Sequence, residues 1–245
     1  MRGMVFASVL LLFAGHAGAK EISCDVDSDY DFHITPKSVI FTRESDTPKA
    51  IVMREGRLFI DDQWVTLTAA DSKRIRDYER DARATMVVAQ QIGHDAAEIA
   101  FVTLGEVAAG FSSDPKETRA KLGKARAQLD ARLSRSVTPT RFNGHDLGQG
   151  IGSAVSDVLP SLIGDIVGGA VRAALSGDTM RLQRMENMDK DIEARVEPRA
   201  RALERRAETL CQRMEALDAI DDALEYRLPN GQRLELLEAK VNRHK

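Results

Sequence analysis

The chain has 245 residues, of which 30% are charged and only 5% aromatic, with 35 Lys and Arg against 38 Asp and Glu. The two signs are interspersed and the net charge is −3, which leaves no concentrated basic face for nucleic acid or anionic lipid as a simple electrostatic partner. Many charges with few aromatics suit solvated helices with aliphatic seams better than a β-sandwich.

Residues 1–19 read as a secretory signal peptide, with Arg2 as the positive n-region, Val5 to Ala14 as the apolar h-region and Ala17-Gly18-Ala19 as a small-x-small cleavage site. The segment is too short and wrongly flanked for a membrane anchor. Cleavage after Ala19 is expected, which puts the mature chain in a compartment where disulfides persist. The chain has two cysteines, Cys24 and Cys211. An isolated pair usually closes on itself in such a compartment. Two free thiols are the alternative, or a lipid on Cys24, although Glu21-Ile22-Ser23 is not the small-residue box that lipidation requires.

Asp25, Asp27, Asp29, Asp31 and His33 alternate along the new N-terminus. Extended, they would line one face with oxygen ligands suited to a hard divalent cation. An EF-hand register fails, because Tyr30 and Pro36 fall where glycine and glutamate belong. Dense carboxylates repel one another, so a solvated, disordered tail is the preferred reading.

Residues 20–68 predict a β-meander subdomain. Phe32-His33-Ile34, Ser38–Phe41, Ala50–Met53, Leu58–Ile60 and Trp64–Leu67 are short strand-like runs separated by Gly- and Asp-containing turns. Trp64 is the single tryptophan and is expected to anchor the sheet against a helix.

A helical region, 69–245, follows and forms one folded unit with the meander. Thr68-Ala69-Ala70-Asp71 has the form of a helix start, with a helix expected over 69–92. Gly93 predicts a break before a second helix over 95–111. Asp114-Pro115-Lys116-Glu117 opens a helix over 115–136, and Thr140–Phe142 can add a short strand in the loop after it. Residues 148–176 are rich in Gly, Ala, Ile and Val. Ile151, Val155, Val158, Leu162 and Ile166 recur there at helical spacing beside a second apolar column and Gly164-x-x-x-Gly168. Asp157, Asp165, Arg172 and Pro160 exclude a membrane span. Close packing inside the protein or at a dimer seam is one reading of this face; docking on a membrane surface or apolar partner is the other. In the last helix, 179–226, Leu182, Val196, Leu203, Leu210, Leu217 and Leu224 share one heptad register. A seam shift and kink are expected near Pro198. The fold class is therefore α+β and helix-dominated, a small antiparallel meander packed on long antiparallel helices.

No stretch carries a catalytic signature. His33, His94, His145 and His244 lack metal-ligand spacing, and no Gly-x-Ser-x-Gly is present. Gly148-Gln149-Gly150-Ile151-Gly152 follows no strand and carries no Lys-Ser pair, so a phosphate loop is not expected. No cofactor is expected. The leading reading is a non-enzymatic interaction or envelope-associated protein with a protein partner or self-association. An apolar-ligand or membrane-surface module acting through Gly148–Leu175 comes second, and an enzyme third.

The segment Gly56-Arg57-Leu58-Phe59-Ile60-Asp61-Asp62-Gln63-Trp64-Val65-Thr66-Leu67-Thr68, the helix opening Ala69-Ala70-Asp71 with Arg76-Asp77-Tyr78, and Leu210-Cys211-Gln212-Arg213 with Leu217 resemble the YggN-like family. That is a family of exported Gram-negative proteins carrying a domain of unknown function. The resemblance covers most of the mature chain. It implies periplasmic residence, a Cys24–Cys211 pairing and a β-then-α build, and it supplies no catalytic residue.

Overall fold

The computed structural model describes residues 22–112, 114–144, 163–164, 167–168, 171–172, 175 and 179–243. Residues 1–19, read from the sequence as a signal peptide, lie outside the described residues. So do Ile151, Val155, Val158, Leu162 and Ile166 of the predicted apolar helix, although the seven described residues between 163 and 175 are helical. The chain divides into two compact units, and the division falls inside a helix, at Val88–Ala89.

The first unit comprises residues up to Val88, Thr138–Gly144 and Ala207 onward. Five consecutive strands form the expected meander: β2 (Asp31–Ile34), β3 (Val39–Thr42), β4 (Ala50–Arg54), β5 (Arg57–Ile60) and β6 (Gln63–Trp64). Each pairs antiparallel with the next. Strand β8 (Arg141–Asn143), preceded by β7 (Val137–Thr138), joins on the free side of β2 and completes a sheet in the order β6-β5-β4-β3-β2-β8-β7. The strand foreseen at 140–142 is therefore present.

One face of this sheet, Ile34, Val39, Phe41, Ile51, Met53, Leu58 and Ile60, is buried. Helix α1 (Ala69–Phe111) contributes Ile75, Tyr78 and Ala82 to the same core, with the rings of Phe41 and Tyr78 6.0 Å apart. The Thr68 hydroxyl accepts the N–H of Asp71, as the sequence indicated. The β4–β5 hairpin turns through Glu55 and Gly56, both at positive φ, as a two-residue hairpin of this twist requires. Glu79 of α1 accepts both turn N–H groups, and the Ser72 hydroxyl donates to the Gly56 carbonyl at 2.7 Å. A Cβ at Gly56 would lie 2.7 Å from the Ser72 carbonyl oxygen. Gly56→Ala is thus expected to lower stability by about 2–3 kcal/mol, combining left-handed strain with displacement of the helix. A parallel shift of the urea midpoint checks it, and an unchanged midpoint would refute it.

The N-terminus is not a disordered tail. Ile22–Asp27 forms β1, which pairs residue for residue with the C-terminal strand β9 (Glu238–Arg243) in a separate two-stranded sheet. Local pattern could not announce this pairing, because its two partners lie at opposite ends of the chain. Cys24 of β1 is disulfide-bonded to Cys211, with 5.9 Å between Cα atoms.

The second unit comprises Ala89–Val137 and His145–Arg206. Gly93 does not break α1, which runs unbroken for 43 residues. Instead, a Cβ at Gly93 would lie 3.1 Å from a Leu133 methyl, so the missing side chain lets helix α2 (Pro115–Ser136) approach α1 closely. Asp114 caps α2 by accepting the N–H groups of Lys116 and Glu117, with Pro115 in the first turn. Ala108 and Leu122 form a small core with Phe101 and Leu104.

The last helix, α3 (Thr179–Asp222), ends four residues before its predicted limit and contains Pro198. Along the heptad register Val196, Leu217 and Leu224 are buried while Leu203 and Leu210 are half-buried. Arg206–Asp95, Arg199–Glu98 (2.9 Å) and Arg195–Glu106 (3.0 Å) ladder α3 onto α1 in antiparallel order. Each such partly exposed pair contributes at most about 1 kcal/mol, so the ladder sets register more than stability.

Candidate interaction face of the sheet

An antiparallel sheet with one face on a helix should alternate apolar and polar residues. Strands β3, β4 and β5 do not: Val39-Ile40-Phe41, Ile51-Val52-Met53 and Leu58-Phe59-Ile60 are apolar at successive positions. Register places Ile40 opposite Val52, Val52 opposite Phe59, and Phe59 opposite Trp64. Directly opposed residues share a face, so these four make one apolar stripe on the side away from the buried core. Ile40, Val52 and Phe59 are half-buried there and Trp64 is 51% exposed. Trp64 therefore does not anchor the sheet to a helix. Its place on a two-residue edge strand turns it outward, and it rests edge-on against Phe59 with centroids 5.2 Å apart.

Arg54 and Arg57 oppose each other across β4 and β5 beside this stripe. The Arg57 guanidinium lies 4.6 Å from the Trp64 ring centroid. Among the described residues the ion pairs made by arginines of this unit engage Arg43, Arg74, Arg80 and Arg233. Among the described residues, neither Arg54 nor Arg57 meets a carboxylate, and the buried Nε of Arg54 has no hydrogen-bond partner. Two like charges placed opposite each other on a strand pair cost stability unless an anion joins them. Sequence reasoning passed over this face, although the unbroken apolar triplets were its signal.

The alternating aspartates do not form the single acidic face that an extended chain would present. Asp25 and Asp27 lie on β1, whereas Asp31 and His33 lie on β2 of the other sheet. Between them the Ser28 hydroxyl accepts the Tyr30 N–H and donates to the Leu236 carbonyl at 2.6 Å, which turns the chain. Asp29 is 3.9 Å from Arg43, and His33 Nε2 is 3.3 Å from the Thr42 hydroxyl. Among the described residues no three His, Cys, Asp or Glu side chains come together as a metal site.

Three other aspartates hold the chain from the end of α3 into β9. Asp71 accepts the N–H groups of Glu225 and Tyr226 and pairs with Arg74. Asp218 accepts the Ala239 N–H, and Asp221 accepts those of Leu236 and Leu237. Asp221 is buried and its other oxygen has no hydrogen-bond partner among the described residues, as is also true of the Tyr78 hydroxyl. Burial raises the Asp221 carboxyl to about 7, opposed by its two backbone donors and assisted by the Asp218 and Asp222 charges. A cleft of about 700 Å³ near this segment is lined by residues including Tyr30, Arg43 and Arg233. Both arginines are spent on carbonyl and carboxylate partners.

In the second unit Asp130 Oδ1 is 2.9 Å from His94 Nδ1, and His94 Nε2 is 3.4 Å from the Ser134 hydroxyl. The order matches a nucleophile relay, but Ser134 sits in the last turns of α2. Backbone N–H groups there are used within the helix, and the negative helix end opposes an oxyanion. Ile163, Val167, Val171 and Leu175 form an exposed apolar row at four-residue spacing. No helix among the described residues is long and apolar enough to cross a membrane.

A family model described as "Protein of unknown function (DUF2884)" matches residues 24–237. The "Uncharacterized protein YggN" of Escherichia coli K12 is 24% identical over 144 residues, and the proteins of the same name in strains CFT073 and O157:H7 align identically well. The alignment spans 59% of this chain and 59% of each relative's length. No solved structure matches the chain.

Proposed function

The chain belongs to the DUF2884 family of proteins of unknown function, and from that premise we propose that it is a non-enzymatic, envelope-associated interaction protein of the periplasm. The observation that carries this reading is the stripe Ile40–Val52–Phe59–Trp64 on the side away from the core, half-buried except for the exposed Trp64, beside Arg54 and Arg57, which meet no carboxylate among the described residues. A sheet face that serves only the fold has no use for an exposed tryptophan beside opposed arginines, whereas a contact face uses both. Export by the signal peptide and a disulfide between Cys24 and Cys211 fit that compartment.

A photo-crosslinking side chain at Phe59 or Trp64, activated in intact cells, tests the reading. Adducts are expected from these positions and not from the exposed Glu44 on the same unit. Equal adducts at all three positions, or none, would defeat it. The second reading, an apolar-ligand module acting through 148–175, is favoured by the exposed row Ile163, Val167, Val171 and Leu175. Val167→Asp with Val171→Asp would abolish function under that reading and leave it unchanged under the first.

A further inference from the structure

We propose that the partner of the sheet face is an anionic lipid surface, with Trp64 and Phe59 entering the interfacial layer while Arg54 and Arg57 meet lipid phosphates. This rests on the reading of that face as the contact surface and names what it contacts.

Three observations select a lipid surface over a protein. The first is size. Neighbouring strands lie about 4.8 Å apart, so a stripe crossing four strands is about 14 Å long. Even at 10 Å wide it is much smaller than the roughly 800 Å² per partner that a stable protein interface buries, so a protein partner would have to engage a wide polar rim as well. A bilayer needs no such area, because weak apolar and electrostatic contacts add into reversible attachment.

The second is chemistry. An indole at the edge of an apolar patch suits the boundary between acyl chains and headgroups. A guanidinium offers the planar donor fork that phosphate accepts. Arg57 is held beside Trp64, so ring and cation reach the same surface together.

The third is charge. Arg54 and Arg57 are opposed and meet no carboxylate among the described residues, so an anion placed between them relieves their repulsion. The acidic side chains at the other end of β5 do not cancel this. Asp61 is occupied by the N–H groups of Lys49 and Ala50, and Asp62 is exposed at the turn beyond them. Glu55, exposed in the turn that joins the two arginines, forms an ion pair with neither among the described residues, so the arginine end of the stripe faces the phosphates.

Trp64 is the only tryptophan, so its emission reports this face directly. The mature protein is titrated with phosphatidylcholine vesicles and with vesicles containing phosphatidylglycerol at low salt, following emission and flotation. A blue shift and flotation are expected with the anionic vesicles alone, both fading as salt rises. Arg54→Ala with Arg57→Ala should weaken binding about 30-fold, from roughly fivefold per arginine near a charged surface. Far-ultraviolet circular dichroism confirms that the variant is folded, and Val167→Asp with Val171→Asp should bind as the parent does. No shift with anionic vesicles, an equal shift with neutral ones, or undiminished binding by the arginine variant overturns the proposal. Flotation lost only in the valine variant overturns it too, and moves the membrane contact to the helix. If crosslinks form at Phe59 or Trp64 while vesicles do not bind, the contact face stands and its lipid partner falls. If neither occurs, both fall.

Discussion

Replacing Cys24 and Cys211 with serine should lower the melting temperature by about 10 °C. The bridge closes a loop of 187 residues, which contains the meander, α1, α2 and most of α3. Closing so long a loop restricts the unfolded chain and is worth up to about 5 kcal/mol in the chain-entropy account, with 2–5 kcal/mol typical for native bridges. For a chain of this length each kcal/mol moves the midpoint by roughly 2–4 °C. The local consequence is sharper. Cys24 lies in β1, which among the described residues pairs only with β9, and two isolated strands are marginal in water. Amide exchange in β1 and β9 should therefore speed up more than in β3 and β4. Reduction of the parent protein should reproduce the serine variant. An unchanged melting temperature in both would show that β1 and β9 hold each other without the bridge.

The second large effect is pH-dependent. Asp221 has its carboxyl raised from 3.8 to about 7 in the folded protein, chiefly by burial. The folded chain thus binds a proton here that the unfolded chain has released between about pH 4 and pH 7. Unfolding is then favoured by raising the pH through that window, and the stabilisation of the protonated form is present below pH 4 and lost by about pH 7. Three pH units correspond to about 4 kcal/mol. Asp221→Asn keeps an acceptor for the Leu236 and Leu237 N–H groups and carries no charge. The variant should match the parent near pH 4 and exceed it at pH 8 by up to that amount. Carboxylates held low by arginine or lysine, such as Asp77 and Glu98, act in the opposite direction at lower pH. They are common to both proteins and cancel in the difference. Parallel stability curves from pH 4 to pH 8 would mean that Asp221 is ionised throughout.

Both predictions concern side chains whose roles depend on distant parts of the chain, and this separates what could be read from the sequence. Helix α2 was legible to the residue, because Asp114, Pro115 and Glu117 are local signals acting within one turn. The meander was legible because short apolar runs and turn residues alternate, and Thr68 as the start of α1 because its hydroxyl serves an amide three residues on. The site was half legible. The apolar triplets of β3, β4 and β5 are visible in the sequence, yet which member of each triplet meets α1 depends on register.

What the sequence by itself determined was the helix-dominated α+β class, the antiparallel order of the meander and the start of α1 and α2, since each follows from contacts within a turn or a hairpin. The tertiary structure alone decided the rest. It made Gly93 a place for Leu133 to pack rather than a helix break, since the glycine's missing side chain has meaning only once α2 is beside it. It paired β1 with β9, two edges with no local partner. It assigned Asp71 and Asp221 to backbone groups about 150 and 15 residues away, and turned Trp64 outward. Those outcomes follow from which backbone donors and apolar surfaces are left over after the local elements form, a quantity defined for the whole chain and for no segment of it.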